Sequence, residues 1–421
     1  MAVQIISEKF SRFSKIKLLV VFLSFFLTIE TISYLLIKDD GLITIYIKLL
    51  STFCLIYVLF NIFRWSYLDK MAVAIFAIFF LKMILESLII YGSPLVYPSV
   101  LAVIFPFLYT YFIKNLFRRL NVDILEVLIA FIFIGYFIFM LFYGHDFDFS
   151  NTPMEQDPGP FSGDSRILHA NSILLIVLPF LFFLNKMLSS QKTYFSIGGF
   201  ILSFIIIIIH QHRTVWVTAI FSGMLLLFMK GGNRKMFRRL FLLLIVTIGL
   251  FVLLIFAIPG FSQLLVERFM DVLDPLNEDN TGGFRYLQIL SYLNYFIQKP
   301  LFGWGFSGFE LPNPFVDVWE EGTGHHFHDA YIEVLFYFGI TGLLLKFFPL
   351  YSIAKKLRKQ LSDKSKVLAA FSVSGFVYAF SYVPPLIFWG IVGLCMYYID
   401  RDIKQQQLSY KSLDVQTLDL S

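Results

Sequence analysis

Charged residues are scarce in this chain of 421 residues. Asp, Glu, Lys and Arg together make up 15% of it, whereas a soluble domain carries about 25%. Apolar residues make up 58% and aromatic residues 19%, with 52 Phe and 22 Tyr. The apolar residues gather in runs of roughly 17 to 25, the length that crosses a bilayer as a helix. The low charge therefore excludes a soluble domain and predicts an all-α polytopic membrane protein.

Cysteine is scarce, and internal repetition and clustered basic charge are missing. The two cysteines, Cys54 and Cys395, both lie inside apolar runs, which excludes a disulfide framework and a cysteine metal site. The 34 Lys and Arg are dispersed in short loops, so no basic face for nucleic acid is indicated. No repeat relates the two halves of the chain, and this argues against a transporter built from repeated halves.

Twelve apolar runs predict about twelve transmembrane helices in a single integral-membrane domain, residues 1–421. They are 18–37, 42–63, 71–91, 95–113, 124–143, 167–185, 194–209, 215–229, 240–258, 330–352, 367–383 and 386–399. The loops on one side hold 25 Lys and Arg, against 6 on the other. Because cytoplasmic loops carry the basic excess, both termini are predicted in the cytoplasm, with residues 400–421 as a disordered tail. The long loop 259–329, before the tenth helix, is predicted outside.

The same assignment places every histidine on or next to the outer face. The outer face is therefore predicted to carry the chemistry. The seven residues are His145, His169, His210, His212, His325, His326 and His328.

A few charged residues fall inside the predicted spans. Lys82 and Glu86 are four residues apart in the third span, so they face the same way and are predicted to pair, which lowers the cost of charge in lipid. Glu30 and Lys48 are predicted to form a second pair between the first two spans. Both pairs are interpreted as structural.

The turn His210–Thr214, HQHRT, joins two apolar runs of about 15 residues. A helix of that length covers only about 23 Å of the roughly 30 Å hydrocarbon core. The turn is therefore predicted to lie below the outer membrane surface in a protein-lined recess, where Arg213 suits phosphate oxygens. The alternative is a thinned bilayer in which Arg213 extends to the surface. Arg166, at the end of the preceding outer loop, is interpreted as an interfacial residue that extends from a helix end to the membrane surface.

The long outer loop contains an amphipathic pattern between residues 284 and 298. Its apolar positions are Phe284, Leu287, Leu290, Leu293 and Ile297, and its polar positions are Arg285, Gln288, Ser291, Asn294 and Gln298. This pattern predicts a helix along the membrane surface with Arg285 on its polar edge, or one packed against the spans for structural reasons. The following GWGFSG, residues 303–308, is interpreted as a tight turn, because no strand precedes it as a nucleotide loop requires.

The loop ends in the sequence HHFHD, which admits three interpretations. His325, His328 and Asp329 are spaced for one helix face, with Asp317, Glu320 and Glu321 near, as a metal site requires. Histidine at such a helix entry is also common as an interfacial residue. The third interpretation is a base that activates a hydroxyl group.

The order of these features resembles the bacterial O-antigen ligase and O-antigen polymerase superfamily. A basic turn between two spans is followed by an Arg early in a long outer loop, by PLFGWGFSGFE, and by a histidine entering the next span. The ligase pattern is His, then Asn, Ser or Gln, then nine residues, then G-x-x-G. Here His328 and Asp329 precede nine residues and then Gly339 to Gly342. Asp329 stands where the family has an amide or a hydroxyl, and the resemblance covers roughly residues 198–345.

The resemblance implies a fold like that of the C-type membrane glycosyltransferases, in the bacterial cytoplasmic membrane. It implies transfer of an undecaprenyl-pyrophosphate-linked glycan to a hydroxyl acceptor on the outer face, with inversion and without a metal or other cofactor. By the family pattern His328 is the base and Asp329 orients it or holds the acceptor. Arg213 and Arg285 bind the pyrophosphate, with Arg166 and His325 as further candidates for substrate binding. The acceptor is either lipid A–core or a second lipid-linked repeat unit, and a lipid-linked glycan flippase is the alternative function.

Overall fold

The computed structural model of the chain describes residues 15–97, 99–143, 168–189, 193–231, 281–314, 325 and 327–418, with isolated residues between 238 and 266. The described residues form α-helices and short 3₁₀ turns, with no strand among them. The helices are α1 Lys15–Ser24, α2 Glu30–Ile37, α3 Asp40–Asn61, α4 Tyr67–Tyr91, α5 Ser99–Leu120, α6 Leu125–Tyr143, α7 Ala170–Leu188, α8 Tyr194–Ile209, α9 Arg213–Met229, α10 Thr281–Gln298, α11 Ala330–Lys356, α12 Asp363–Tyr378 and α13 Leu386–Leu418.

Six of these helices, α3 to α7 and α11, are long and apolar enough to cross a membrane. The first predicted span is broken: 16–28 and 30–37 meet at 106°, and they add a seventh span if the bent pair is one. Helices α8 and α9 are shorter apolar helices, as predicted. The predicted ninth span lies largely outside the described residues. A polytopic helical architecture is therefore confirmed, whereas the count of twelve stays a prediction.

The core of the bundle is formed by α5, α7, α11, α12 and α13. In the apolar stretch of α5, 83% of the residues are buried within the protein, and in α7 78%. The corresponding shares in α3 and α4 are only 17% and 28%. Apolar side chains that are exposed in the protein alone are suited to lipid, so α3 and α4 form a lipid-facing edge.

The predicted disordered tail is instead helical, because α13 continues to Leu418. Side chains beyond the apolar run connect this helix to its neighbours. Asp400 binds the ammonium groups of Lys114, at 3.0 Å, and Lys356, at 2.9 Å. Asp402 accepts a hydrogen bond of 2.8 Å from the amide of Ser362. These contacts hold the first polar turns of α13 against the bundle, and the residue pattern alone does not reveal them.

The two ion pairs predicted inside the spans have different outcomes. Lys82 pairs with Glu86 one turn further along α4, as predicted. The Glu30–Lys48 prediction is wrong. Glu30 accepts a hydrogen bond of 2.9 Å from the hydroxyl of Ser172, and Lys48 is exposed on α3. The break between α1 and α2 places Glu30 beside α7 instead.

Candidate active site at the polar end of the bundle

Four helix termini meet at one end of the bundle, which we call the polar end. The amide of Ala330, at the start of α11, donates to the carbonyl of Ala379, just after α12, at 3.0 Å. The Tyr378 hydroxyl donates to Asn171 Oδ1 at the start of α7, at 2.8 Å. His212, before α9, contacts the Leu168 carbonyl through Nε2 at 2.8 Å. The predicted outer residues of α7, α9 and α11 therefore share one end.

Helix α11 is broken at Gly339, the first glycine of G-x-x-G. Its backbone there has φ 61° and ψ −163°, a conformation open essentially only to glycine. The segment after α10 crosses α11 at this break. It forms hydrogen bonds with the backbone groups of α11 that lose their helical partners at the break. The amides of Ile340 and Thr341 donate to the carbonyls of Pro300 and Leu301 at 2.9 and 3.1 Å, and the Phe336 carbonyl accepts from Trp304 N at 2.9 Å.

The glycines of the two motifs allow this close crossing. A Cβ on Gly339 would lie 2.5 Å from the carbonyl carbon of Leu301, and one on Gly303 would lie 2.4 Å from Phe338 N. Gly303 and Gly305 both have positive φ. The interpretation of GWGFSG as a tight turn is therefore confirmed. The turn and the G-x-x-G together fix the half-helix Ala330–Phe338, which begins directly after His328.

Helix α10 turns its polar face toward this half-helix. Gln288 is buried, and its Oε1 accepts a hydrogen bond of 3.2 Å from the amide of His328. Tyr292 is buried one turn further on, and its hydroxyl lies 2.5 Å from His325 Nδ1. The opposite face is exposed and apolar, with Leu290, Leu293 and Ile297. The helix therefore packs against the spans, which is the second of its two predicted arrangements, and its position along a membrane surface stays a prediction.

His328 and Asp329 lie where α10 meets α11. The His328 ring is half-buried and packs edge to face against Phe284 at 5.5 Å. Asp329 is buried and forms the N-cap of α11, because Oδ1 accepts the amides of Tyr331 at 2.7 Å and Ile332 at 3.1 Å. Asp329 thus has a structural role that the pattern did not indicate. It also leaves Oδ2 without a hydrogen bond in the described part of the chain.

Burial raises the pKa of Asp329 from 3.8 to about 6. The two capping amides and the positive charge of Arg285 oppose this rise, and the charge of Glu333 adds to it. A carboxyl group with a pKa near 6 is ionised at neutral pH and still basic enough to accept a proton or a strong hydrogen bond. The half-helix therefore begins with two groups suited to activating a hydroxyl.

Arg285 lies on the same side of the polar end. Its guanidinium packs on the ring of Tyr382, 4.9 Å from the centroid, and this ring also contacts His169 edge to face at 5.5 Å. The Tyr378 ring stacks on the Tyr382 ring, with 5.5 Å between their centroids. Arg285 forms no ion pair within the described part of the chain. With one face on an aromatic ring, its N–H edge remains for an anionic group.

The turn HQHRT is buried within the protein, as the recess hypothesis requires. His210, Gln211 and His212 are all buried, and Arg213 begins α9 half-buried. Burial lowers the pKa of His210 to about 3, and its Nε2 lies 3.1 Å from the Tyr136 hydroxyl. His210 is therefore neutral and structural. The depth of the turn in a membrane stays a prediction.

Several predicted residues lie outside the described residues. They are Arg166, His145, His326, Asp317, Glu320 and Glu321. No group of three or more His, Cys, Asp and Glu in the described ranges is arranged to hold a metal ion. His325, one of the three described members of the predicted metal set, packs 4.7 Å from the Phe336 ring and contacts the Tyr292 hydroxyl.

Some residues around the site were not predicted from the sequence. Tyr382, whose ring contacts Arg285, belongs to no motif. Its spacing of four residues from Tyr378 at the end of a predicted span is the one signal that could have indicated it. Lys346 is fully buried and pairs with Glu333 at 3.4 Å, thirteen residues earlier in α11. A straight helix separates residues thirteen apart by about 20 Å, so the break at Gly339 is what permits this pair.

The apolar helices define a polytopic membrane protein, and the candidate site lies at one end of its helix bundle. Within this class, residues 198–347 match the family model described as O-antigen ligase. The resemblance predicted from the sequence is confirmed over this region, which contains the recess turn, α10, the glycine turn and the broken α11. The match supports a bacterial membrane glycosyltransferase of the O-antigen ligase and polymerase type. A comparison with curated proteins gives no match.

Proposed function

We propose that the chain transfers an undecaprenyl-pyrophosphate-linked glycan to a hydroxyl acceptor on the outer face of the bacterial cytoplasmic membrane. The observation that supports this most directly is the grouping of Arg285 with His328 and Asp329 at the start of a broken helix. A cation for a leaving pyrophosphate and a base for an entering hydroxyl are the two groups that such a transfer needs.

In this mechanism the acceptor oxygen attacks the anomeric carbon, and the bond from that carbon to the pyrophosphate oxygen breaks. The proton of the acceptor hydroxyl passes to the imidazole of His328. The carboxylate of Asp329, through Oδ2, accepts a hydrogen bond from the acceptor. Attack from the face opposite the leaving group inverts the anomeric centre.

The leaving group is polyprenyl pyrophosphate, whose negative charge Arg285 and Arg213 stabilise. The flat guanidinium offers two parallel N–H groups to phosphate oxygens, and the Tyr382 ring fixes the plane of Arg285. Because pyrophosphate is already a good leaving group, two arginines replace the divalent ion in this proposal. Arg166 and His325 are further substrate-binding candidates.

Two acceptors fit this chemistry, and they distinguish a ligase from a polymerase. A ligase transfers to lipid A–core, whereas a polymerase transfers to a second lipid-linked repeat unit. Incubating the reconstituted protein with the lipid-linked donor alone separates them, since only a polymerase gives a ladder of longer glycans.

The base assignment is tested by His328→Ala in the same reconstituted membranes. Loss of a general base is expected to lower the transfer rate by roughly 10²- to 10⁴-fold, while the variant keeps the melting temperature of the wild type. Arg285→Lys keeps the charge and loses the two-pronged contact, so it is expected to raise the donor concentration needed for half-maximal rate. Full activity of His328→Ala would remove the assignment.

A further inference from the structure

A cavity with charged residues in its lining lies apart from the candidate active site. It measures about 370 Å³ and lies between the C-terminal half of α4 and the turn that follows α10. Its lining includes the charged residues Lys82, Glu86 and Lys299 and the aromatic residues Tyr91, Phe302 and Trp304. None of the candidate active-site residues lines it. The segment Pro300–Trp304 separates the two, since it contacts the broken α11 and also lines the cavity.

The cavity carries net positive charge. Lys82 is paired with Glu86, and its ammonium also lies over the Phe302 ring at 5.1 Å. Lys299 lies over the Trp304 ring at 4.3 Å and has no carboxylate partner among the described residues. Two ammonium groups therefore face one carboxylate, and the unpaired charge favours an anionic ligand.

The rim of the cavity is apolar and exposed. Ile90 is 61% exposed, Leu301 60% and Phe302 44%, and these residues continue the lipid-facing surface of α4. An anion that enters from this side must carry an apolar portion that matches lipid. A soluble phosphate or a free sugar has no such portion.

The cavity also lies near one end of α4, where lipid head groups are expected. Helix α4 has 25 residues, about 37 Å at the usual rise, which exceeds the roughly 30 Å hydrocarbon core. Glu86 is only about 7.5 Å below the end of α4 at Tyr91. Tyr91 and Tyr97 both donate hydrogen bonds to Glu310 there, and such aromatic residues with Trp304 mark a membrane interface.

We propose that this cavity binds the phosphate of an anionic lipid in the leaflet at the polar end. Lys299 and Lys82 contact the phosphate oxygens, and Ile90 and Leu301 contact the first methylene groups of the lipid. The lipid is either a phospholipid such as phosphatidylglycerol or a polyprenyl phosphate, which share this chemistry. None of the residues that contact the lipid in this proposal belongs to the proposed catalytic set.

Native mass spectrometry of the detergent-solubilised full chain tests the proposal, with phosphatidylglycerol, zwitterionic phosphatidylcholine and a polyprenyl monophosphate as probes. At least one anionic lipid is expected to bind more tightly than phosphatidylcholine. The double variant Lys82→Gln, Lys299→Gln is expected to lose roughly 100-fold in that affinity, about tenfold for each of the two charge-assisted contacts. The matched control Lys48→Gln removes an exposed lysine from lipid-facing α3 and is expected to bind as the wild type does.

The comparison of the two anionic probes identifies the source. Tighter binding of the polyprenyl phosphate indicates a lipid of the polyprenyl carrier class, and equal or tighter binding of phosphatidylglycerol indicates a membrane phospholipid. Equal affinity of the wild type and the double variant for both anionic probes would overturn the proposal.

Glu86→Gln provides a second readout in a variant that keeps both lysines. Removing the carboxylate frees Lys82 and is expected to tighten binding of the anionic lipid. A weakening would show that the cavity recognises head-group hydroxyls through Glu86, and the phosphate assignment would then be wrong. Loss of lipid binding with intact glycan transfer, or the reverse, separates this proposal from the proposed function.

Discussion

Replacing Asp329 by Asn separates its capping role from its role in chemistry. Asn is about as good an N-cap as Asp, so the bonds to the amides of Tyr331 and Ile332 are expected to remain. The substitution removes only the negative charge. Asp329→Ala is the complementary variant, since it removes the cap as well, at a cost of about 1 kcal/mol.

The effect on stability follows from the raised pKa of Asp329. A rise from 3.8 to about 6 corresponds to about 3 kcal/mol between the two protonation states. Between these pH values the folded protein holds a proton that the unfolded chain has lost. The free energy of unfolding therefore falls as pH rises from about 4 to about 6, and it stays lower above that. The Asn variant lacks this fall.

The assay compares melting temperature and transfer rate of the two proteins across pH. Asp329→Asn is expected to melt higher than the wild type at pH 8, with a difference that shrinks toward pH 4. Its transfer rate at neutral pH is expected to be roughly 10- to 100-fold lower, the loss of one charge-assisted hydrogen bond. The rate ratio of wild type to variant should grow as pH rises through about 6, because only the wild type gains a carboxylate there.

A constant melting difference and a constant rate ratio over this pH range would refute the reasoning. Asp329 would then act only as a helix cap. In that case Asp329→Asn would keep full activity and Asp329→Ala would lose stability alone.

Two further predictions concern the broken helix. Gly339→Ala places a Cβ 2.5 Å from the Leu301 backbone at a positive φ, so it is expected to lower both the melting temperature and the transfer rate. Gly198→Ala, which has open space around it, is the control and is expected to change neither. Wild-type stability of Gly339→Ala would contradict the close crossing of the two segments. Lys346→Met leaves Glu333 buried without its partner and is expected to lower the free energy of unfolding by about 3–5 kcal/mol. Adding Glu333→Gln is expected to restore most of this stability. Thermal unfolding measures both variants, and no recovery in the double variant would count against the pair.

The candidate site was partly predictable because its residues lie in short, ordered motifs. His328, Asp329 and Gly339 are related by spacing along one helix, and Arg285 falls on the polar stripe of α10. Such spacing is a local property of the chain, so it does not depend on how the helices pack. Tyr382 and Gln288 carry no such spacing to His328, so only the packing of α10 and α12 identifies them.

The two roles of Asp329 could not be separated from the residue pattern. A helix cap and a buried carboxylate for an acceptor are compatible with the same residue at the same place. The pattern indicates chemistry at this position, but the hydrogen bonds of Oδ1 and the burial that raises the pKa depend on neighbours far away in the chain.

The sequence by itself determined the membrane class, most of the helices and the order of the motifs, because apolar run length and helical spacing are local properties. Only the tertiary structure decided the break at Gly339, the Glu333–Lys346 pair and the helical continuation of α13 past Asp400. The break depends on the carbonyl groups of Pro300 and Leu301, and the continuation of α13 depends on charges that other helices supply. The Glu333–Lys346 pair depends in turn on the break. Such contacts produce no periodic pattern in the sequence, so the sequence alone does not predict them.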